Sequence, residues 1–250
     1  MAESADATQP AFYAKRGNRW ADWWTVLHPP YTVWHLSYAA LGAGLAPRLS
    51  WAMLAATVLA FFLAVGIAAH ALDELHGRPL GTAIGATSLR VCAGIALLGA
   101  VIVGILAIPY SGLTLVPCIV VGVVLVMGYN LELFGGRLHK DLGFAIGWGG
   151  FPVAVGFLAQ SPPLTRPATA AGAAAILAGI ALSYAQRRLS TPARLIRRQI
   201  SQVSGVVTLH DRSQLALDRQ MLLAPLEGAL RALCWAVPFL AAAVLLVHLH

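Results

Sequence analysis

The sequence predicts an all-α, polytopic membrane protein, a bundle of about seven transmembrane helices. Apolar runs of eighteen residues or more recur along the chain of 250 residues, and each is long enough to cross a bilayer as a helix. Only 11% of the residues are charged, whereas a soluble domain carries about a quarter. The runs also lack the alternation of apolar and polar residues that is typical of barrel strands, so helices are the favoured spanning structure.

The chain divides into a short N-terminal region and one membrane domain. Residues 1–24 are expected to form a disordered tail followed by an interfacial helix, whose aromatic and basic side chains suit the headgroup level. Residues 25–250 are expected to form a single transmembrane domain with a basic cytoplasmic loop at 187–221. The predicted spans are 27–46, 51–73, 88–108, 112–131, 142–160, 167–186 and 222–247.

Several spans carry features that predict how they pack. Pro29 and Pro30 suit the first turn of the first span, and His35 is expected to bond a neighbouring helix. The third and fourth spans have apolar interiors and are expected to form a lipid-facing hairpin. The fifth span is rich in glycine, which favours close helix packing. In the last span, Glu227 and Arg231 are expected to pair as i,i+4 neighbours.

The distribution of basic residues predicts the orientation of the chain. With these spans, fourteen lysines and arginines lie on one side of the membrane, and only Arg48 and Arg166 lie on the other. The positive-inside rule therefore predicts a cytoplasmic N-terminus, in an inner or plasma membrane. It also accounts for the net charge of +7, so no nucleic-acid partner is expected.

Ionisable residues at the ends of two predicted spans form the candidate functional site. The first cluster ends the second span and contains His70, Asp73, Glu74 and His76. The second cluster follows the fourth span and contains Glu132, His139, Lys140 and Asp141. Charged groups at membrane depth are costly and mark functional sites. Both clusters are predicted on the cytoplasmic face, where they would form one site.

The two clusters offer imidazole and carboxylate ligands for a divalent metal. Such a mixed set suits Fe, Mn or Zn, whereas an all-oxygen site suits Mg. Carboxylates and histidines on facing helices also build dimetal centres in helical bundles. The candidate metal ligands are His70, Asp73, Glu74, His76, Glu132, His139 and Asp141. The alternative is a network of ion pairs, for example Asp73 with Arg78 and Asp141 with Arg137.

The segment from Ala69 to Leu80 contains a spaced motif, with His70 and Asp73 three residues apart and Arg78-Pro79-Leu80 at its end. It resembles the first aspartate motif of the UbiA-type membrane prenyltransferase superfamily, Asn-Asp-x-x-Asp-x-x-x-Asp with a downstream Arg-Pro-Leu. His70 stands at the first aspartate and Asp73 at the second. The segment from Tyr129 to Gly143 resembles the family's Tyr, Lys-Arg and Leu-Gly pattern.

The resemblance implies a UbiA-like bundle that transfers a prenyl group from a diphosphate held by Mg²⁺. The chain departs from the family where the second aspartate motif is expected, because Arg187-Arg188-Leu189-Ser190-Thr191-Pro192 occupies that place. The candidate catalytic residues are Asp73, Glu74, His70 and Glu132. The candidate substrate-binding residues are Arg78, Arg137, Lys140 and Tyr129.

Three functions are therefore open. The first is a divergent prenyltransferase-superfamily enzyme that acts on an isoprenoid or lipid substrate at a cytoplasmic metal site. The second is a membrane oxidoreductase or hydrolase with a transition-metal centre of the non-haem di-iron type. The third is a non-catalytic lipid-binding or partner subunit. Membrane lipid and a hydrophobic small molecule are the expected partners.

Overall fold

The structure is a computed structural model that describes residues 10–15, 17–163 and 165–249. It is all-α apart from one small hairpin. The helices are α1 (Arg19–Leu27), α2 (Pro29–Gly44), α3 (Trp51–Leu75), α4 (Ala86–Ser111), α5 (Leu115–Asn130), α6 (Asp141–Ala159), α7 (Arg166–Arg198) and α8 (Arg219–Leu246). Short 3₁₀ turns cover Phe134–His139 and Val247–Leu249, and strands β1 (Val206–Thr208) and β2 (Gln214–Ala216) form an antiparallel pair.

Within the described chain, five helices are long and apolar enough to cross a membrane, namely α3, α4, α6, α7 and α8. The protein is thus a helical bundle of the kind predicted for an integral membrane protein. Helices α2 and α5 have 16 residues each, fewer than the about 20 that a bilayer core requires. A total of seven spans remains a prediction.

Helix starts follow local sequence signals. Asn18, Ser50 and Asp218 are N-caps whose side chains accept hydrogen bonds from backbone N–H groups in the first turns of α1, α3 and α8. Helices α3 and α6 each contain a π-helical stretch, Phe62–Ala69 and Ile146–Gly150. Such stretches are often found at functional sites.

Close backbone contact organises the packing around α6. A methyl group on Gly156 would collide with the Ala39 carbonyl of α2, and one on Gly149 would collide with the Gly179 carbonyl of α7. The absence of a side chain at these positions brings the helices together, as the glycine content of this span predicts. Helix α2 also packs against α8, and the buried core between them includes Trp34 and Tyr38.

The α4–α5 hairpin has an apolar surface open to its surroundings. Ile95, Leu98 and Leu106 on α4 and Val120 and Val124 on α5 are exposed. Only 17% of the apolar window of α4 is buried inside the protein. This exposure matches the predicted lipid-facing hairpin, since a bilayer is the solvent that such a surface fits.

The sequence interpretation treated residues 187–221 as a loop, but the first part of this segment is helical. Helix α7 continues to Arg198 and passes through Pro192. The extension persists because Ala193 and Ile196 are buried against Leu223 and Leu230 of α8. Burial of this apolar face offsets the hydrogen bond that the proline removes. The remainder of the segment carries the β1–β2 hairpin.

Candidate functional site

A polar cavity of about 300 Å³ lies at one end of the bundle. The ends of several helices converge there: the starts of α2, α6 and α8, and the ends of α3, α5 and α7. Its walls combine aromatic, basic and hydrogen-bonding side chains. They include Phe12, Tyr13, His28, Tyr31, His35, Val65, His70, Asp73, Tyr129, Asn130, His139, Phe144, Trp148, Gln186, Arg187, Ser190, Arg194, Arg197, Arg198 and Glu227.

The α7 extension supplies the positive charge of the cavity. Arg187, Arg194 and Arg198 lie on the face of α7 that lines it, together with Arg197. Arg187 hydrogen-bonds Asp141 at 3.4 Å and the His139 carbonyl at 3.3 Å. Neither Arg194 nor Arg198 forms an ion pair with a carboxylate among the described residues; Arg194 hydrogen-bonds the Thr191 hydroxyl at 3.4 Å, and Arg198 hydrogen-bonds the Pro10 carbonyl at 3.3 Å. Two guanidinium groups are thus available to an anion.

An ion pair joins the α7 extension to α8. Arg197 donates from its Nε to Glu227 Oε1 and from its Nη2 to Glu227 Oε2, the latter at 2.7 Å, and both side chains are buried. The predicted i,i+4 contact of Glu227 with Arg231 also exists, at 3.7 Å, but Arg231 is 54% exposed. The sequence interpretation therefore identified the weaker of the two partners of Glu227.

Two neighbouring acids of the first cluster have different environments. Glu74 is fully buried and accepts hydrogen bonds from Leu80 N at 2.9 Å, Thr82 N at 2.9 Å and Thr82 Oγ1 at 2.8 Å. It therefore holds the loop after α3 and does not face the cavity. Asp73 lines the cavity, where Arg194, His139 and Arg198 are near enough to attract its carboxylate without forming a hydrogen bond or ion pair among the described residues. Asp73 is therefore the acid of the first cluster that faces the cavity.

Four histidines line the cavity with the same orientation. The Nδ1 atoms of His28, His35, His70 and His139 contact the backbone carbonyls of residues 26, 148, 66 and 129. His28 and His70 stack with ring centroids 4.3 Å apart, and His139 stacks on Tyr129 at 4.5 Å. The bond from His35 to α6 is the inter-helix bond that the sequence predicted. His28 has a φ of 50°, a left-handed conformation that is often found at functional sites.

The remaining candidate residues lie outside the cavity. Glu132, Arg137, Lys140 and His76 are exposed on the connecting segments. Arg78 donates to the Ile84 carbonyl at 2.6 Å, so it stabilises its own loop and does not pair with Asp73.

Asp141 also differs from its predicted pairing. It pairs with Arg187 at 3.4 Å and Arg188 at 3.5 Å, and not with Arg137. The helical end of α7 brings these arginines beside the start of α6.

The predicted metal ligands do not converge. Of the seven, His70, Asp73 and His139 line the cavity. Within the described residues, no three His, Cys, Asp or Glu side chains lie close enough together to hold one metal ion. A histidine that donates through Nδ1 to a carbonyl has the orientation of a metal ligand. The carboxylates that would complete such a centre are nevertheless not available in the cavity: Glu74 is hydrogen-bonded to its own loop, and Glu132 is exposed.

The described part of the N-terminal region covers one side of the cavity. Tyr13 packs edge-on against Tyr31, with ring centroids 5.6 Å apart, and lies 5.3 Å from the His28 ring. Burial raises the pKa of the Tyr13 phenol well above its ordinary value, so the hydroxyl remains protonated. The Pro10 carbonyl accepts a hydrogen bond from Arg198 at 3.3 Å.

Sequence reasoning missed Gln186, Tyr31 and Tyr13 as cavity residues. It left open whether the arginines at 187–198 bind acidic lipid headgroups or a substrate diphosphate, or only form a basic cytoplasmic loop. A periodic signal was present in α7. Residues 186, 190, 194 and 197 recur every three or four positions and share one face of a helix. Treating the segment after 186 as a loop concealed that periodicity.

The chain matches no protein-family model, and it has no significant similarity to a curated protein or to a solved structure. The resemblance to the UbiA-type superfamily therefore rests on the sequence motifs alone and stays a prediction.

Proposed function

We propose that this protein binds a lipophilic molecule with a phosphate or diphosphate group in the cavity and acts on it there. The observation that carries the proposal is the arginine face of α7, where Arg194 and Arg198 form no ion pair with a carboxylate among the described residues, in a cavity that Asp73 also lines. Guanidinium groups bind phosphate oxygens in a bidentate manner and remain charged when partly buried. The apolar walls, such as Val65, Phe144 and Trp148, suit the adjoining hydrocarbon.

The motif resemblance makes a prenyl diphosphate the first substrate to consider. In such a reaction the carbon–oxygen bond to the diphosphate breaks, and the bonding electrons leave with the diphosphate. Arginines beside the departing oxygens stabilise the developing negative charge. The allylic carbon then bonds to an acceptor, and the proton that the acceptor loses passes to Asp73 as general base.

In this proposal a divalent metal supplies less of the positive charge around the diphosphate than it does in the family that the motifs resemble. The family that the motifs resemble holds Mg²⁺ with two aspartate motifs, whereas this cavity offers one free carboxylate, Asp73. Arg187, Arg194 and Arg198 carry the positive charge instead.

The membrane side is also a proposal. The cavity is on the same side as the N-terminus and the basic connections, so the charge asymmetry supports a cytoplasmic opening in an inner or plasma membrane.

A binding experiment tests the proposal. Purified protein in detergent is titrated with geranylgeranyl diphosphate, and consumption of the ligand is followed in the presence of lipid extract. We expect the Arg194→Ala/Arg198→Ala variant to bind about 100-fold more weakly, because two charged hydrogen-bond donors are lost. The control is Arg188→Ala, since Arg188 is 66% exposed and outside the cavity. Equal affinity of the double variant and the unaltered protein would overturn the proposal.

The transition-metal oxidoreductase or hydrolase is the second candidate, and the shared histidine orientation favours it. Elemental analysis of protein purified without added metal distinguishes the two candidates. Stoichiometric iron, manganese or zinc that is lost in His70→Ala would support the metal enzyme and contradict the arginine-based proposal.

A further inference from the structure

The cavity contains a second set of polar groups that the arginines cannot satisfy. We call it the acceptor wall and define it as His28, His35, Asp73 and Gln186. All four line the cavity. Gln186 is 6% exposed, and its Oε1 has no hydrogen-bond partner among the described residues. The Asp73 carboxylate likewise has none. Gln186 Oε1 is the buried acceptor of this wall that lacks a partner among the described residues, and buried polar groups are nearly always hydrogen-bonded, so this atom favours a ligand that donates a hydrogen bond.

The two histidines of the acceptor wall add further acceptors. A carbonyl oxygen only accepts, so the Nδ1 atom that contacts it must carry the proton: His28 donates to Val26 O at 2.6 Å, and His35 donates to Trp148 O at 2.9 Å. A neutral imidazole that is protonated at Nδ1 has a bare Nε2, which is an acceptor. Neither Nε2 atom has a partner among the described residues.

The two sets of polar groups therefore differ in what they require, although Gln186 lies on the same face of α7 as the arginines. The arginines offer only donors, and a phosphate or diphosphate group satisfies them. The acceptor wall favours hydrogen-bond donors, and a fully ionised phosphate has none. A prenyl diphosphate alone supplies no hydrogen-bond donor, so it would leave the buried Gln186 Oε1 without a partner, at the cost that an unpaired buried acceptor carries.

We infer that the natural ligand of this cavity carries one or more hydroxyl groups in addition to its anionic group, and that His28, His35, Asp73 and Gln186 bind them. A neutral hydroxyl fits better than an ammonium group, because four arginines and two carboxylates line the described cavity and leave it positive. The ligand class is thus a polyol phosphate, either as a lipid headgroup or as a soluble acceptor. This inference rests on the proposed function, which supplies the anion on the arginine side.

Two matched lipids test the inference. Phosphatidylglycerol and phosphatidylmethanol of the same acyl composition have the same charge, but only the first has headgroup hydroxyls. We expect purified full-length protein in detergent to bind phosphatidylglycerol about tenfold more tightly, the size of one well-formed hydrogen bond. Equal affinity for the two lipids would overturn the inference.

The His28→Asn/His35→Asn variant identifies the wall as the cause of that preference. An asparagine amide can still donate to the carbonyl that Nδ1 contacted, but its oxygen takes the place of a ring carbon and ends one bond short of the position of the Nε2 acceptor. We expect the tenfold preference to fall to about twofold or less. The matched control is His76→Asn, which is exposed and outside the cavity and should retain the preference. A preference that persists in the double variant would contradict the assignment.

The arginine variant separates failure of this inference from failure of the proposed function. Arg194→Ala/Arg198→Ala should weaken binding of both lipids equally and leave their ratio unchanged. If it weakens neither lipid, the proposed function fails. If it weakens both but the unaltered protein does not distinguish them, only the hydroxyl inference fails. Displacement by glycerol 3-phosphate supports a soluble polyol phosphate as the ligand, and its failure to displace supports a lipid.

Discussion

The end of α3 and the extension of α7 bring charged side chains to the same end of the bundle, but the two regions use charge differently. At the end of α3, Glu74 is saturated by its own loop, and only Asp73 faces the cavity. On α7, the charged face points into the cavity over three turns, from Gln186 to Arg198. The motif that stands out in the sequence is thus partly a loop anchor, whereas the segment without a motif supplies most of the cavity's charge.

The largest effect on stability is expected where the α7 extension is anchored. Glu227→Ala removes the buried carboxylate that accepts two hydrogen bonds from Arg197, and breaking such a pair costs about 3 kcal/mol or more. Thermal unfolding in detergent measures this loss. The control is Arg231→Ala, for which we expect a change within about 1 kcal/mol because Arg231 is half exposed. Similar shifts for the two variants would show that the buried pair does not anchor the extension.

The loop anchor at the end of α3 should be the next most sensitive. Glu74→Ala leaves two backbone donors and one hydroxyl without their acceptor, and we expect a loss of about 2 kcal/mol. Faster proteolysis within residues 76–85 should accompany the lower unfolding temperature. Glu132→Ala is the matched control because Glu132 is exposed. If both variants behave alike, Glu74 does not hold the loop.

The apolar pattern was sufficient to predict the helices, because each run must satisfy its own backbone hydrogen bonds in a bilayer. All seven predicted spans correspond to helices, although α2 and α5 are short. The pattern failed at Pro192, where tertiary burial of Ala193 and Ile196 outweighs the local cost of a proline. That contact joins residues about 30 positions apart, so a pattern within a short stretch of sequence cannot reveal it.

The site was predictable only where a residue's environment follows from its own segment. Asp73 and His70 share a helical face, so their common exposure to the cavity could be anticipated. The role of Glu74 depends on the path of the loop to Thr82, and the role of Arg194 depends on α7 remaining helical. Sequence spacing alone therefore cannot tell which of the two adjacent acids, Asp73 or Glu74, faces the cavity and which one holds the loop.

Asp73→Asn sharpens the contrast between those adjacent acids. Because the Asp73 carboxylate forms no hydrogen bond or ion pair among the described residues, we expect the free energy of unfolding to change by less than about 1 kcal/mol. Consumption of a prenyl diphosphate should nevertheless fall about 100-fold or more, since the amide cannot accept the proton. Comparing turnover with thermal unfolding for this variant and for Glu74→Gln checks the separation. Retained turnover in Asp73→Asn would contradict the role as base.

The smallest effects are expected from the basic residues that the sequence placed at the site. Arg137 and Lys140 are exposed and outside the cavity, so Arg137→Ala and Lys140→Ala should change the affinity for geranylgeranyl diphosphate less than about twofold. Arg194→Ala, tested in the same titration, should weaken binding about tenfold because its guanidinium faces the ligand. If instead Lys140→Ala weakens binding as much as Arg194→Ala, the ligand must extend to the α5–α6 connection. In that case the second cluster, and not the α7 extension alone, would bind the anionic group.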